Sequence, residues 1–319
     1  MQYKLAKEDF TRFLESCRRS HQLIAPVRGR DIRFEVIDDT SKIYLDENTT
    51  FPLKYYFLAK KEVLFRFKGN DLEPVKIKTK RQIFFGVRRC DLSGIKNQDI
   101  VFLEENADPY YQARRRNTLL FGLHCKRGDD FCFCNSVELK GDYDLMFYDK
   151  GSSYAIEAGS DAGEAFAKKN GFLAEGKSLI SEKDRKIINT KRLNSTDIED
   201  LYPNRKWEEG SDRCLSCGAC NLLCPNCHCF SIKDEVGFDL KTGARFRVPA
   251  PCQLKSFTRV AGGEIFRHTR AGRFKHRIYH QIQYFYERHG TMFCTGCGRC
   301  IEGCPARIDW VEMINQMKK

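Results

Sequence analysis

The sequence predicts an α+β chain in which a mixed α/β domain is followed by a mainly helical one. Three observations lead to this prediction. The 319 residues suggest about two domains. Strand-like and helix-like segments mix in the first half, and eleven of the sixteen cysteines come after residue 200. A charged, polar stretch separates the halves, so we expect an α/β domain over 1–175, a linker over 176–210 and a cysteine-rich domain over 211–319.

The first domain begins with an amphipathic helix carrying Phe10, Phe13 and Leu14, on which Cys17 is expected to be a core residue. Four aromatic or β-branched runs bounded by turn residues are typical of strands: "EVLFRFKG", "RQIFFGV", "TLLFGLHC" and "YDLMFYD". Two segments, "DLSGIKNQDIVFLEE" and "DPYYQARRR", predict short helices. The segment "SDAGEAFAKKNGF" predicts a further helix, capped by Ser160 or Asp161 and ended at Gly171.

Composition limits the compartment and the class of protein. The mean hydropathy is −0.53, and no apolar run approaches the roughly 20 residues of a membrane span. The N-terminus lacks the features of a signal peptide, so a cytoplasmic protein without a membrane span is expected. Because that compartment keeps thiols reduced, the cysteines indicate metal ligation rather than disulfides. The net charge of +12 fits either nucleic acid or acidic partner proteins.

Two cysteine quartets share the spacing C-x2-C-x2-C-x3-C-P, which is the bacterial ferredoxin pattern for [4Fe–4S] clusters. They are Cys214, Cys217, Cys220 and Cys224, and Cys294, Cys297, Cys300 and Cys304. In that pattern the fourth cysteine ligates the other cluster. We therefore expect a dicluster ferredoxin-like domain, with the first cluster on Cys214, Cys217, Cys220 and Cys304 and the second on Cys294, Cys297, Cys300 and Cys224. Gly218 and Gly298 each follow the second cysteine of a motif, where a glycine lets the backbone approach the cluster closely or adopt a positive φ.

Two other metal chemistries compete for these cysteines. Paired C-x2-C elements also make zinc sites, but complete Cys-Pro quartets fit zinc ribbons poorly. The C-x3-C-x2-C triplet of Cys220, Cys224 and Cys227 has the spacing of S-adenosylmethionine radical chemistry, but no barrel follows it. Cys227, Cys229 and Cys252 are open to three interpretations: buried apolar residues, extra ligands, or groups that tune a cluster potential.

A third cysteine group lies in the first domain. Cys90 and Cys125 follow predicted strands, and Cys132 and Cys134 come shortly after Cys125. Four thiols at strand ends are what a metal site requires, and Asp91 is the alternative oxygen ligand if one cysteine does not participate. Scattered, unrelated cysteines are the alternative, and the spacing alone leaves the choice open.

The segment "FRHTRAGRFKHRIYHQIQYFYERHG" is both basic and aromatic. A helix that packs on the clusters and docks a partner protein is favoured over a solvated helix and over a nucleic-acid-binding surface. No histidine there pairs with a cysteine or carboxylate as a nucleophile would, and no glycine-rich segment has a nucleotide-binding pattern. We therefore expect no nucleotide site in this chain.

Nearly the whole chain resembles the β subunits of cytosolic NAD(P)-linked [NiFe] hydrogenases (sulfhydrogenases) and the A subunit of anaerobic sulfite reductase. The resemblance rests on "GVRRCDLSGI", "DPYYQARRR", "CFCNS", "RCLSCGACNLLCPNCHCF", "AGGEIFRHTRAGRFKHRIYH" and "CTGCGRCIEGCPARID".

The resemblance implies an electron-transfer subunit without an active site of its own. It would relay electrons between a flavin- and NAD(P)H-binding subunit and the small and large subunits of a hydrogenase. In the second branch of the family the catalytic partner would be a sirohaem sulfite reductase. The resemblance also implies a third iron–sulfur cluster, on Cys90, Cys125, Cys132 and Cys134.

Overall fold

The computed structural model describes residues 1–319. They form two compact units, and the division does not follow a single cut in the chain. The first unit consists of Met1–Leu53, Thr79–Arg192 and Cys294–Gly298. The second consists of Lys54–Lys78, Leu193–Phe293 and Arg299–Lys319.

The strands are β1 (Gln2–Ala6), β2 (Gln22–Arg28), β3 (Ile32–Val36), β4 (Glu62–Lys68), β5 (Asp71–Pro74), β6 (Gln82–Val87), β7 (Thr118–Leu123), β8 (Leu145–Asp149), β9 (Ser153–Ala158), β10 (Ala174–Gly176), β11 (Phe230–Val236) and β12 (Thr242–Pro249). The α-helices are α1 (Phe10–Ser20), α2 (Arg89–Leu103), α3 (Pro109–Arg116), α4 (Asp161–Lys169), α5 (Lys206–Arg213), α6 (Ala219–Leu222), α7 (Arg270–Tyr279), α8 (Phe285–His289), α9 (Arg299–Glu302) and α10 (Trp310–Met317). A π-helical turn, His280–Tyr284, joins α7 to α8. No helix has both the length and the apolar composition needed to cross a membrane.

The first unit is built on an eight-stranded mixed sheet with the order β10-β1-β9-β8-β7-β6-β2-β3. The neighbours β8, β7, β6 and β2 pair in parallel, and the outer strands pair antiparallel. Strands β6, β7 and β8 are buried almost throughout, as expected of parallel strands. This arrangement confirms the predicted mixed α/β character, and three of the four predicted strands lie here as β6, β7 and β8.

Helices supply the hydrophobic faces that cover this sheet. Phe13 and Cys17 of α1 join Phe85, Phe121 and Phe147 of the sheet in one apolar core, which confirms that Cys17 is a core residue. Helix α4 begins as predicted, with the Ser160 hydroxyl accepting from the Gly163 N–H at 3.0 Å.

Crossovers position the N-terminal cysteines. Parallel neighbours need long connections, and α2 and α3 provide the one between β6 and β7. The connection from β7 to β8 contains no α-helix and carries Cys125, Cys132 and Cys134. Cys90 and Cys125 follow the carboxyl ends of β6 and β7, which are adjacent and parallel, so both emerge at the same edge of the sheet.

The second unit combines helices with a four-stranded antiparallel sheet of order β11-β12-β4-β5. The expectation of a mainly helical cysteine-rich domain is therefore not confirmed. The predicted strand "EVLFRFKG" is β4, and it pairs with β12, a strand of the hairpin that follows the first cysteine quartet. Because β4 and β12 are far apart in sequence, the local pattern of neither segment indicates a shared sheet.

The segment over 176–210 contains two short 3-10 turns, Glu182–Arg185 and Glu199–Leu201, and it reaches the start of α5. The Trp207 indole on α5 donates to the Leu201 carbonyl at 2.8 Å. Its ring also packs edge-on against Phe274 of α7. These contacts anchor the helical part of the second unit.

Candidate metal centre

The two cysteine loops have the same backbone conformation. In the first loop Ser216 and Gly218 have φ angles of 51° and 78°, and in the second Gly296 and Gly298 have 61° and 74°. Each loop then enters a one-turn helix, α6 or α9. In each loop, two residues with a left-handed backbone conformation flank the second cysteine of the motif. They curve the backbone of the loop.

Both loops also direct a backbone N–H at their first thiol. The Ser216 N–H donates to Cys214 Sγ and the Gly296 N–H donates to Cys294 Sγ, each at 3.4 Å. Hydrogen bonds to the ligand sulfurs are among the features that set the potential of an iron–sulfur cluster.

The cysteines assigned to the first cluster line one cavity. Its walls contain the side chains of Cys214, Cys217, Cys220 and Cys304, although Cys304 belongs to the other motif. Cys300 also reaches this cavity, and the apolar wall comes from Phe274, Ile278, Ile308 and Trp310. No group of three or more His, Cys, Asp or Glu side chains converges tightly enough to hold a single metal ion. Four thiols around a largely apolar space fit the donor set of a [4Fe–4S] cluster, which is larger than one ion.

The cysteines assigned to the second cluster are each held in place by neighbours within their own unit. Cys294 and Cys297 are buried in the first unit. In the second unit the Cys300 sulfur accepts from the Trp310 indole N–H at 3.4 Å, and the Cys224 thiol lies 3.6 Å from Gln281 Oε1. These contacts fix the side-chain orientations of the candidate ligands.

Three of the four N-terminal cysteines lie within electrostatic reach of one another. Burial raises the pKa of Cys134, and Cys125 raises it further. Burial also raises the pKa of Cys132, with Asp129 and Cys134 contributing. Cys90 starts α2 at the same sheet edge, and its sulfur accepts from the Asn48 amide at 3.8 Å. Asp91 is buried in the first turn of α2.

The N-terminal cysteine group packs against the second cysteine loop within the first unit. The Phe133 N–H donates to the Gly296 carbonyl at 2.8 Å, and Cys132 Sγ lies 4.0 Å from the Cys297 carbonyl oxygen. A β-carbon at Gly296 would stand 2.6 Å from backbone atoms of Cys134. The two segments therefore lie with their backbones in contact.

Three of the four cysteines outside these sets, Cys227, Cys229 and Cys252, lie together. The Asn221 amide donates to Cys252 Sγ at 3.1 Å and to Cys227 Sγ at 3.5 Å. A hydrogen bond from the Cys229 thiol lowers the pKa of Cys252 to about 6, and the charge of Arg277 and the Asn221 amide act in the same direction. These sulfurs form a hydrogen-bonded group around Asn221, close beside the first cysteine motif.

Helix α7 turns part of the basic segment inward. Its buried side chains include Arg273, Phe274, Arg277 and Ile278. The Arg277 guanidinium donates to the Cys220 carbonyl at 3.1 Å and lines the first cavity. The sequence suggested an aromatic face against the clusters and a charged face toward a partner. The i, i+4 spacing of Arg273 and Arg277 beside two apolar residues was the available signal that these arginines face the interior.

Lys54 is a buried cation beside the first cysteine motif, and no sequence pattern identified it. It is buried in the second unit, and its ammonium donates to the Asn221 and Cys227 carbonyls, each at 2.8 Å. Burial lowers its pKa, while Cys227 and Cys224 partly oppose that shift. The residue lies 160 or more positions before its partners, so no local pattern could have identified it.

The comparisons with known proteins agree with this geometry. A family model described as a 4Fe-4S dicluster domain matches residues 213–308. The chain is 30% identical over 333 aligned positions to the protein named sulfhydrogenase 2 subunit beta of Pyrococcus furiosus. That alignment covers 99% of this chain and 98% of the relative. No solved structure matches the chain. With this identity over almost its full length, the chain belongs to the family of sulfhydrogenase β subunits.

Proposed function

We propose that the chain is an iron–sulfur electron-transfer subunit of a cytoplasmic, multi-subunit hydrogenase. The observation that carries the proposal is the cavity lined by Cys214, Cys217, Cys220 and Cys304. Besides Cys300, the second motif contributes Cys304 to this cavity, and Cys304 is the fourth ligand that a crossed dicluster arrangement requires. Membership of the sulfhydrogenase β-subunit family and the matched dicluster domain support the same function.

The proposed ligands are those that the motif spacing predicts. Cys214, Cys217, Cys220 and Cys304 would hold the first cluster, and Cys294, Cys297, Cys300 and Cys224 the second. A [4Fe–4S] cluster supplies one-electron transfer. The protein's part is to hold the thiolates, to donate backbone N–H groups to their sulfurs and to keep water away with Phe274, Ile278 and Trp310.

A third cluster on Cys90, Cys125, Cys132 and Cys134 is part of the proposal. The shared sheet edge of Cys90 and Cys125 supports it, as do the electrostatic links among Cys125, Cys132 and Cys134. The hydrogen bond from Phe133 to Gly296 joins this group to the loop that carries Cys294 and Cys297. An electron could then pass between neighbouring centres without a mobile carrier.

The proposed partners are a flavin- and NAD(P)H-binding subunit on one side and the small and large hydrogenase subunits on the other. The name of the Pyrococcus furiosus relative makes that protein a subunit of a sulfhydrogenase. In this proposal the chain contributes no reaction chemistry except electron relay, and its partners bind the substrates.

Iron and acid-labile sulfide in anaerobically purified chain test the proposal directly. Two clusters require about eight irons per chain, and a third raises the value to about twelve. A value well below eight would contradict the electron-transfer function, whereas a value near eight would remove only the N-terminal cluster. The native complex identifies the partner, since nickel indicates a hydrogenase and sirohaem a sulfite reductase.

A further inference from the structure

Arg277 is a buried cation whose neutralising charge the protein does not supply. Its side chain is 7% exposed, and no carboxylate forms an ion pair with it. Its one hydrogen bond goes to the neutral carbonyl of Cys220, and its Nε–H is buried without an acceptor. An uncompensated buried charge costs several kcal/mol, so a site of this kind calls for a nearby negative charge.

Two other buried arginines of the second unit show how such groups are otherwise satisfied. Arg247 forms an ion pair with Glu62, its Nε lying 2.9 Å from Oε2. Arg273, one turn before Arg277 on α7, donates to the carbonyls of Gln253, Arg267 and His268 and to the Ser216 hydroxyl. Arg277 has neither a counter-ion nor a full set of acceptors.

The groups that face Arg277 are cysteines from both proposed ligand sets. The residue lines the cavity with Cys214, Cys217, Cys220 and Cys304. Burial acts to lower the pKa of Arg277, and nearby cysteines act to raise it: Cys227, which belongs to neither set, then Cys224 of the second set, Cys220 of the first and Cys300 of the second. Lys54 is another buried cation of this region, and two of its three N–H groups donate to carbonyls.

We propose that Arg277 is a positioning residue that serves as the internal counter-cation of both iron–sulfur clusters. This inference rests on the proposed function, because the clusters provide the negative charge that the guanidinium lacks. A cluster held by four thiolates carries net negative charge, and reduction adds one more electron. A fixed buried cation therefore stabilises the reduced state more than the oxidised state and raises the midpoint potential of the clusters it faces.

The test compares Arg277→Gln, which removes the charge, with Arg277→Lys, which keeps it, in the full-length chain purified anaerobically. Each protein is poised at the wild-type midpoint potential of the affected cluster, and EPR measures the ratio of reduced to oxidised cluster. This ratio should be at least tenfold lower in R277Q than in wild type. That change corresponds to about 59 mV for one electron. R277K should restore the ratio to within about threefold of wild type. The matched control is Lys275→Gln, which removes one charge from the same helix at a residue that packs on Tyr202, and it should leave the ratio unchanged.

A second measurement is made on the wild-type chain. Chain labelled with ¹⁵N-arginine should show a ¹⁵N hyperfine coupling to a reduced cluster in pulsed EPR, and R277K should lack this coupling. A wild-type chain with its full iron content but without the coupling would overturn the inference, as would an R277Q chain with full iron and an unchanged ratio. Both results would leave the proposed function intact. Absence of iron from the wild-type chain would instead contradict the proposed function.

Discussion

Gly296 is a residue at which loop conformation and packing both require the absence of a side chain. Its φ is 61°, and a β-carbon there would lie 2.6 Å from the Cys134 N and Cα atoms. We expect Gly296→Ala to lower the free energy of unfolding by about 1–3 kcal/mol or more, because backbone strain adds to a clash with backbone atoms that cannot rotate away. Urea unfolding of the purified chain measures this change.

Gly262→Ala is the matched control for Gly296→Ala. A β-carbon at Gly262 would have no other atom within 4 Å, and the residue does not have a positive φ, so its substitution should change stability by less than about 0.5 kcal/mol. Equal stabilities for the two alanine variants would contradict the role assigned to the Gly296 contact.

At single residues the sequence predicted some of this geometry and missed the rest. Gly218 and Gly298 could be identified because they follow the middle cysteine of a known spacing, and both have positive φ. Ser216 has a positive φ as well, and no residue-type preference pointed to a serine in that conformation. The contact that constrains Gly296 joins segments more than 150 positions apart in sequence, beyond the reach of any local pattern.

Among local elements, Lys54 links the 3-10 turn Leu53–Tyr56 to the loop that follows α6. Lys54→Met keeps most of the buried volume but leaves the carbonyls of Asn221 and Cys227 without their ammonium donor. Each unsatisfied buried acceptor costs about 1–3 kcal/mol, so the two together should lower the free energy of unfolding measured in urea by about 2–6 kcal/mol.

Lys60→Met provides the comparison for this change at an exposed position near the same turn. It should alter stability by no more than about 0.5 kcal/mol. If K54M were as stable as K60M, the two hydrogen bonds of Lys54 would not be holding the loop.

The hairpin of β11 and β12 is among the elements that the sequence did not predict. It has one edge strand with mostly exposed side chains, so its apolar alternation is weak. By contrast, β6, β7 and β8 are buried on both faces and read as continuous apolar runs. Burial on both faces therefore left a clear local signal in these three strands, whereas the exposed edge strand β11 left none.

For the whole molecule, the net charge of +12 is a poor measure of free surface charge. Lys54, Arg247, Arg273 and Arg277 are all buried in the second unit, where they bind carbonyls, a carboxylate or the cavity wall. In the proposed function, clusters with thiolate ligands add negative charge that the sequence total omits. The basic composition is therefore explained in part by internal neutralisation, without invoking nucleic acid.

The crossed ligation is a property of the whole chain, and paired substitutions test it. If Cys214 and Cys304 hold the same cluster, Cys214→Ala with Cys304→Ala leaves that site two thiols. About four irons should then be lost, while the wild-type EPR signal of the other C-terminal cluster survives. Cys294→Ala with Cys304→Ala instead removes one ligand from each cluster, so both wild-type signals should change. Ligation of each cluster by its own motif predicts the reverse pattern for the two double variants. Cys17→Ala, in the apolar core of the first unit, is the control and should retain both signals.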